Sequence, residues 1–299
     1  MTEPLIAVAG AGAVGGLLAV QLHRAGIDVV AVARPATAEL IRAEGLTVRS
    51  PHFGDIVCRL PVLTEIPVGA RVIVATKAYA LPALADGLRA ARPTEVVALL
   101  NGIEHMAPLR ADAPTALVAG ATVAVESTRL SPTVIEHRSP FVRLTVPAEA
   151  ADSGIVTAWT AAGLQVTVGG TEQEVLWAKL RFLAPLALLT SFWRLPLGPA
   201  LERDPHLTTA LLAEVADIAS RDDVPTTGAE LARALASFAP TMRSSLQNDL
   251  DAGLPNELDA IGGAVVRRGR TLGADTGTAH RIVAELAARE TSHPATSLG

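Results

Sequence analysis

The chain has 299 residues, 49% of them hydrophobic and 18% charged, with a formal net charge of −5; the charged share lies below the roughly 25% of an average soluble protein. That length suits two domains with a sizeable core, and the low charge suggests much buried helix or an extensive intersubunit surface. A mildly acidic chain offers no general attraction to a polyanion, so nucleic acid is a poor partner, and a single cysteine, Cys58, provides neither an internal disulfide nor a thiolate zinc cluster.

Residues 5–22, LIAVAGAGAVGGLLAVQL, have the hydropathy of a signal or membrane segment. No positive charge precedes them and four glycines interrupt them, so a buried strand followed by a buried helix is expected instead. Short β-branched runs then alternate with amphipathic stretches, the pattern of a parallel sheet covered by helices. Strands are expected at 5–10, 28–34, 71–76, 95–100 and 115–120, and the pieces TVIEHR, FVRLTV and LQVTVGG are expected to form an antiparallel appendage closing this domain.

After about Thr171 the strand signals stop, which places an α/β domain at 1–170 and an all-α domain at 171–299. The first helix of the second domain contains LWAKLRFLAPLALLTSFW at 176–193, which reads as a helical core except for one cation, Lys179. Glu172 and Glu174 suit the positive end of that helix, and Pro185 is expected to kink it. Its apolar run at 182–193 is shorter than a bilayer requires. Further helices are expected at 207–221, 227–252, 256–272 and 276–290, with TSHPATSLG as a loose tail. A cytoplasmic location without membrane attachment fits this reading.

GAGAVG places Gly10, Gly12 and Gly15 between a strand and a helix, with a second strand completing a βαβ unit. In that setting the first glycine allows the tight turn, the second lets a pyrophosphate approach the backbone, and the third allows close helix packing. Sites that hold NAD usually end the second strand with an acid on the ribose hydroxyls. This strand ends VAVARP, so Arg34 takes that place and suits a 2′-phosphate, which favours NADP(H); a solvated surface arginine is the alternative. Two more strands end in Lys77 and in Asn101, and ligands of open α/β sheets bind outside the carboxyl ends of strands.

The pieces IAVAGAGAVGG, VAR, TKAY, LLNGIEH, LWAKL, SSLQNDLDAGLPNELDAI and GAVVRRGRTLG span nearly the whole chain in that order. Together they resemble the ketopantoate reductase family, also called 2-dehydropantoate 2-reductases. The resemblance implies a Rossmann-type domain followed by an all-α domain, with NADPH delivering hydride to the carbonyl carbon of a 2-oxo acid and no metal, as in pantothenate biosynthesis. It also implies Lys179 as the catalytic lysine at the carbonyl oxygen and Glu257 as the functional glutamate. Ser245 would bond the substrate, while Lys77 and Asn101 would lie beside the cofactor ribose and the reacting carbonyl.

The family commonly has asparagines one and two turns beyond the lysine, on its substrate-facing side, where this chain has Leu183 and Ala187. Leu100 replaces a glutamine, and IGG at 261–263 replaces ING. Replacing amides by Leu and Ala removes hydrogen bonds that discriminate a hydroxyl, so a 2-oxo acid more apolar than ketopantoate is expected. A non-catalytic NADPH-binding sensor and a reductase of another carbonyl compound are the alternatives. The β-hydroxyacid dehydrogenase type usually pairs its helix lysine with an asparagine four residues on, which Leu183 does not match. A homodimer is compatible with the apolar helical half.

Overall fold

The computed structural model describes residues 4–292; of the tail expected at 291–299, residues 293–299 lie outside the described residues. The chain divides into two compact units: one up to Leu100 and from His105 to Val175, the other Asn101–Glu104 and the chain from Leu176 onward.

The first unit opens with β1 (Ile6–Ala9), α1 (Ala13–Arg24), β2 (Val29–Val32), α2 (Pro35–Glu44), β3 (Leu46–Arg49), β4 (Ile56–Cys58) and β5 (Val62–Leu63). It continues with β6 (Arg71–Val74), α3 (Ala85–Ala91), β7 (Glu95–Ala98), α4 (Met106–Asp112), β8 (Leu117–Gly120) and β9 (Thr122–Ala124). It closes with β10 (Ser127–Ser131), β11 (Val134–His137), β12 (Arg143–Val146), α5 (Gly154–Ala161) and β13 (Gln165–Val168). Six strands form an all-parallel sheet in the order β5-β2-β1-β6-β7-β8. Strands covered on both faces need apolar side chains throughout, and all four residues of β1 and of β2 are buried. Ala9 lies beside Val32 and Val74, and Val74 beside Ala98, so the carboxyl ends of β2, β1, β6 and β7 share one edge.

The expected antiparallel appendage is instead two mixed sheets. One has the order β13-β12-β9, with β12 parallel to β13 and antiparallel to β9; the other has the order β10-β11-β3-β4, with β11 parallel to β3. The helix α5 intervenes between β12 and β13, and a strand returning through a helical crossover arrives parallel. The partners β3 and β4 come from 46–58, a stretch whose strands are too short to carry a clear alternation.

The second unit contains most of α6 (Glu172–Trp193), then α7 (Leu197–Arg203), α8 (Pro205–Arg221), α9 (Gly228–Ala236), α10 (Ser245–Asp251), α11 (Ala264–Thr271) and α12 (Gly277–Ser292). A capping box starts α6: Thr171 N–H donates to Glu174, and Glu174 N–H donates to Thr171 Oγ1 at 3.2 Å. The helix runs on through Pro185 for 22 residues, longer than its apolar run implied. By length and composition it could cross a membrane, but 67% of its most apolar window is buried within the fold, as in a core helix. The helix expected at 227–252 is two, because Pro240 cannot donate to a preceding turn and Ser244 caps a fresh start at α10. The helix expected from 256 starts at Leu258, and Asp259–Gly263 form a π turn that leads into α11.

One buried carboxylate ties these helices together. Asp222, 3% exposed at the end of α8, accepts from Trp177 Nε1 on α6 at 2.6 Å and from Arg268 Nε on α11 at 2.9 Å. Two residues beyond that indole is Lys179, so this bond sets the rotation of the helix that carries it. Asp222→Ala is expected to lower stability by roughly 2–3 kcal/mol in urea unfolding, because it leaves the Trp177 N–H and the guanidinium without their acceptor. An unchanged midpoint would show that the bond contributes nothing.

Candidate active site

The first unit gathers its candidate residues on the shared edge of the parallel sheet. A Cβ on Gly15 would lie 2.0 Å from the carbonyl oxygen of Gly10, so the packing of α1 against β1 demands glycine there. A Cβ on Gly12 would meet nothing within 4 Å, and its φ of −86° suits any residue. The fold itself therefore gives no reason for this glycine, whereas a phosphate approaching the backbone does. The first turn of α1 has no acidic residue and no side-chain cap, which leaves its N–H groups and positive dipole end suited to an anion.

Arg34 follows β2 at the N-terminal cap of α2; it is exposed and makes no side-chain hydrogen bond or ion pair among the described residues. Lys77 follows β6, half-buried, where the chain enters a 3₁₀ turn, Ala78–Leu84. Beside it the sequence reading missed Thr76, whose Oγ1 is buried without a partner and whose methyl lies 2.8 Å from where a Gly10 Cβ would be. These features fit a dinucleotide: an open anion-binding turn, an uncommitted guanidinium at the second strand, and an orphaned hydroxyl by the glycines. Only the burial of the Thr76 hydroxyl needed the structure.

The second unit brings two of its candidates together across 156 residues of sequence: Asn101 Nδ2 donates to Glu257 Oε2 at 3.0 Å. Glu257 is only 4% exposed. It stands immediately before the helix rather than inside its first turn, where Asn256 caps the Leu258 N–H at 3.0 Å, and its carbonyl accepts from Ile261 N–H at 3.0 Å. Lys179 is half-buried on α6 rather than enclosed by the core.

Ser245 begins α10 and is exposed. Its neighbour Ser244, which the sequence reading passed over, is buried: its Oγ accepts from Gln247 N–H at 3.0 Å and lies 2.8 Å from Thr190 Oγ1. Thr190 Oγ1 in turn donates to the Leu186 carbonyl at 2.8 Å, so the intervening proton belongs to Ser244 and the chain of bonds runs from α10 into α6. Leu183 is half-buried against the helical core. Ala187, expected to face a ligand, is 0% exposed within that core, because the α6 stripe it belongs to turns inward by this point; it packs and presents no surface.

A surface cavity of about 380 Å³ lies elsewhere in the first unit, against Arg49, Ser50, Glu136, His137 and Arg138. His137 is fully buried beside it, with Ser50 Oγ 2.8 Å from Nδ1 and Ser139 Oγ 3.0 Å from Nε2. Burial pushes this imidazole below its ordinary value of 6.5. None of the candidate residues lines this cavity.

The family model described as Ketopantoate reductase PanE/ApbA matches residues 6–149, and its C-terminal counterpart matches 173–290. This chain belongs to the ketopantoate reductase family. It is an oxidoreductase of that family, with a Rossmann-type first unit and a helical second unit. It is 29% identical over 299 aligned residues to a 2-dehydropantoate 2-reductase of Caulobacter vibrioides, covering 94% of this chain and 97% of that one. A PanE/ApbA family ketopantoate reductase of Ralstonia eutropha JMP134 superposes with a TM-score of 0.86 at 28% identity, covering 96% and 98% of the two chains. The ternary structure of D-mandelate dehydrogenase with NADH and anilino(oxo)acetate has the same fold, with a TM-score of 0.84 at 20% identity and coverage of 96% and 98%.

The two glycines should separate in experiment. Gly12→Ala should leave the thermal midpoint unchanged while weakening dinucleotide binding by about tenfold or more in a fluorescence titration, whereas Gly15→Ala should cost roughly 1–3 kcal/mol of stability through overpacking. Equal affinity in the Gly12 variant would remove the glycine turn from the binding site.

Proposed function

We propose that this protein is an NADPH-dependent reductase that converts a 2-oxo acid to a 2-hydroxy acid. The observation that carries the reading is the Asn101–Glu257 hydrogen bond, which joins a strand-end amide to a buried carboxylate. In this reading Gly10, Gly12, Gly15, Arg34 and Lys77 hold NADP(H), with the phosphates on the first turn of α1 and the 2′-phosphate on Arg34. When bound, the reduced nicotinamide supplies the hydride for the carbonyl carbon.

The chain's own residues do the rest. Lys179 polarises the carbonyl oxygen and gives it a proton as negative charge develops there. A half-buried ammonium is suited to this, since partial removal from water strengthens its field at the carbonyl oxygen. Asn101 orients Glu257 by donating to one of its oxygens, and Ser245 offers an exposed hydroxyl to the carboxylate end of the acid. Leu183 supplies apolar surface where an amide would select a hydroxyl, so the preferred acid has an apolar branch. Because a protein of the same fold was solved with NADH and anilino(oxo)acetate, NADH and arylated oxo acids belong in the assay.

Lys179→Ala is expected to lower kcat by about 10²–10⁴ with little change in NADPH affinity, because the lost interaction grows in the transition state. Retained turnover would exclude Lys179 from the chemistry. Arg34→Ser should lower kcat/KM with NADPH far more than with NADH, and equal losses would assign Arg34 a different role. Across a panel of 2-oxo acids, branched apolar acids should exceed ketopantoate in kcat/KM; a clear preference for ketopantoate would defeat the specificity reading.

A further inference from the structure

Among the described residues, Asn101–Glu104 is the one stretch from the first half of the sequence that groups with the second unit, and it is held there at both ends. At one end Asn101 bonds Glu257. At the other, Glu104 meets Arg267 of α11: Nε donates to Oε1 at 3.0 Å and Nη2 to Oε2 at 2.7 Å. The same guanidinium grips the start of the π turn, with Nη1 donating to Asp259 Oδ1 at 2.6 Å and Nη2 to the Asp259 carbonyl at 3.1 Å. Between the two ends the backbone itself is in close approach. Gly102 has φ +88°, and a Cβ there would lie 2.2 Å from the Ala260 carbonyl oxygen.

These ion pairs are substantially exposed, so each contributes little to stability. Their consequence is geometric, because a planar guanidinium that satisfies two carboxylates and a carbonyl at once fixes three points relative to one another. The π turn is shaped around this grip. A Cβ on Gly263 would fall 2.5 Å from Asp259 Oδ1 and 2.9 Å from Arg267 Nη1, and one on Gly262 would fall 2.6 Å from Val283. The double glycine of IGG is therefore what lets the turn hold the clamp on one side and pack on the other, and π turns recur where a functional side chain must be re-aimed. Glu257 sits directly before it.

We propose that Arg267 is a positioning residue: by binding Glu104 and Asp259 together it presses Asn101–Glu104 against the π turn and so holds the Asn101 amide on Glu257. The inference rests on the reading of Asn101 and Glu257 as working groups of the reductase. A loosened clamp leaves Glu257 in place but lets its donor drift, and small misplacements of this kind reduce turnover without removing any catalytic group.

The test is a double-mutant cycle on the protein combined with hydrogen exchange. Arg267→Ala should lower kcat roughly tenfold, and Arg267→Lys, which keeps the charge but not the fork, should recover only part of that loss. In an Asn101→Ala background, Arg267→Ala should cost no more than about twofold further, since the interaction it protects is already gone. Effects that multiply in full, or complete rescue by lysine, would overturn the proposal. Mass-spectrometric exchange over 99–106 should accelerate in Arg267→Ala and in Gly263→Ala, and unchanged exchange in both would also overturn it. If the wild-type protein reduces no oxo acid, the reductase reading fails, and the exchange result alone decides for or against the clamp.

Discussion

A carboxylate that is almost wholly removed from water must be given hydrogen-bond donors, and the second unit meets this need at Glu257 by reaching 156 residues back along the chain to Asn101. Much else follows from that requirement. Asn101 lies just past β7 in sequence but groups with the helices, where it bonds Glu257. Glu257 lies just before the π turn, so its position is set by the packing of the helices. The glycines at 102, 262 and 263 provide the backbone clearance that makes the approach of Asn101–Glu104 to the π turn possible.

The chemistry of the parallel sheet is of a different kind. Its edge is defined by main-chain groups and by what is missing: no acid in the first turn of α1, no side chain on Gly12, no partner for Thr76 Oγ1. In the proposed reading, ligand affinity here comes from N–H groups already fixed by secondary structure, so little ordering cost remains at binding. The helical unit instead relies on side chains anchored by buried polar bonds, of which Trp177 to Asp222 and Ser244 to Thr190 are the clearest.

Features with strong local periodicity were legible in the sequence. The five core strands of the parallel sheet are continuous apolar runs, and the glycine turn sits where a strand signal changes to a helix signal, so both could be placed without coordinates. The second-layer strands β3, β4, β9 and β10 are three to five residues long and partly exposed, so their pairing depends on partners far away in sequence. The break at Pro240 was visible as a residue but was outweighed by the surrounding Ala and Leu pattern. Among the candidate residues, strand-end position pointed to Lys77 and Asn101 and an apolar setting to Lys179, whereas Glu257 and Ser245 came with the family resemblance; the burial of Ala187 and the internal role of Ser244 depend on helix rotation, which is fixed by tertiary packing. Thr76 and Arg267 lie in the family-like pieces TKAY and GAVVRRGRTLG but had no role of their own there, and Thr190 lies in the apolar run of α6, since a threonine and a surface arginine are unremarkable until their neighbours are known.

The grouping of Asn101–Glu104 with the helices also makes the second unit discontinuous in sequence. A gene cut at the start of α6 would deliver every helix of that unit but omit the four residues that supply the amide to Glu257 and the carboxylate to Arg267. Recombination between members of this family therefore has a hidden junction: a helical half transplanted onto a foreign sheet inherits that sheet's version of the segment, and the chimaera is matched only if residues 101–104 travel with the helices they serve.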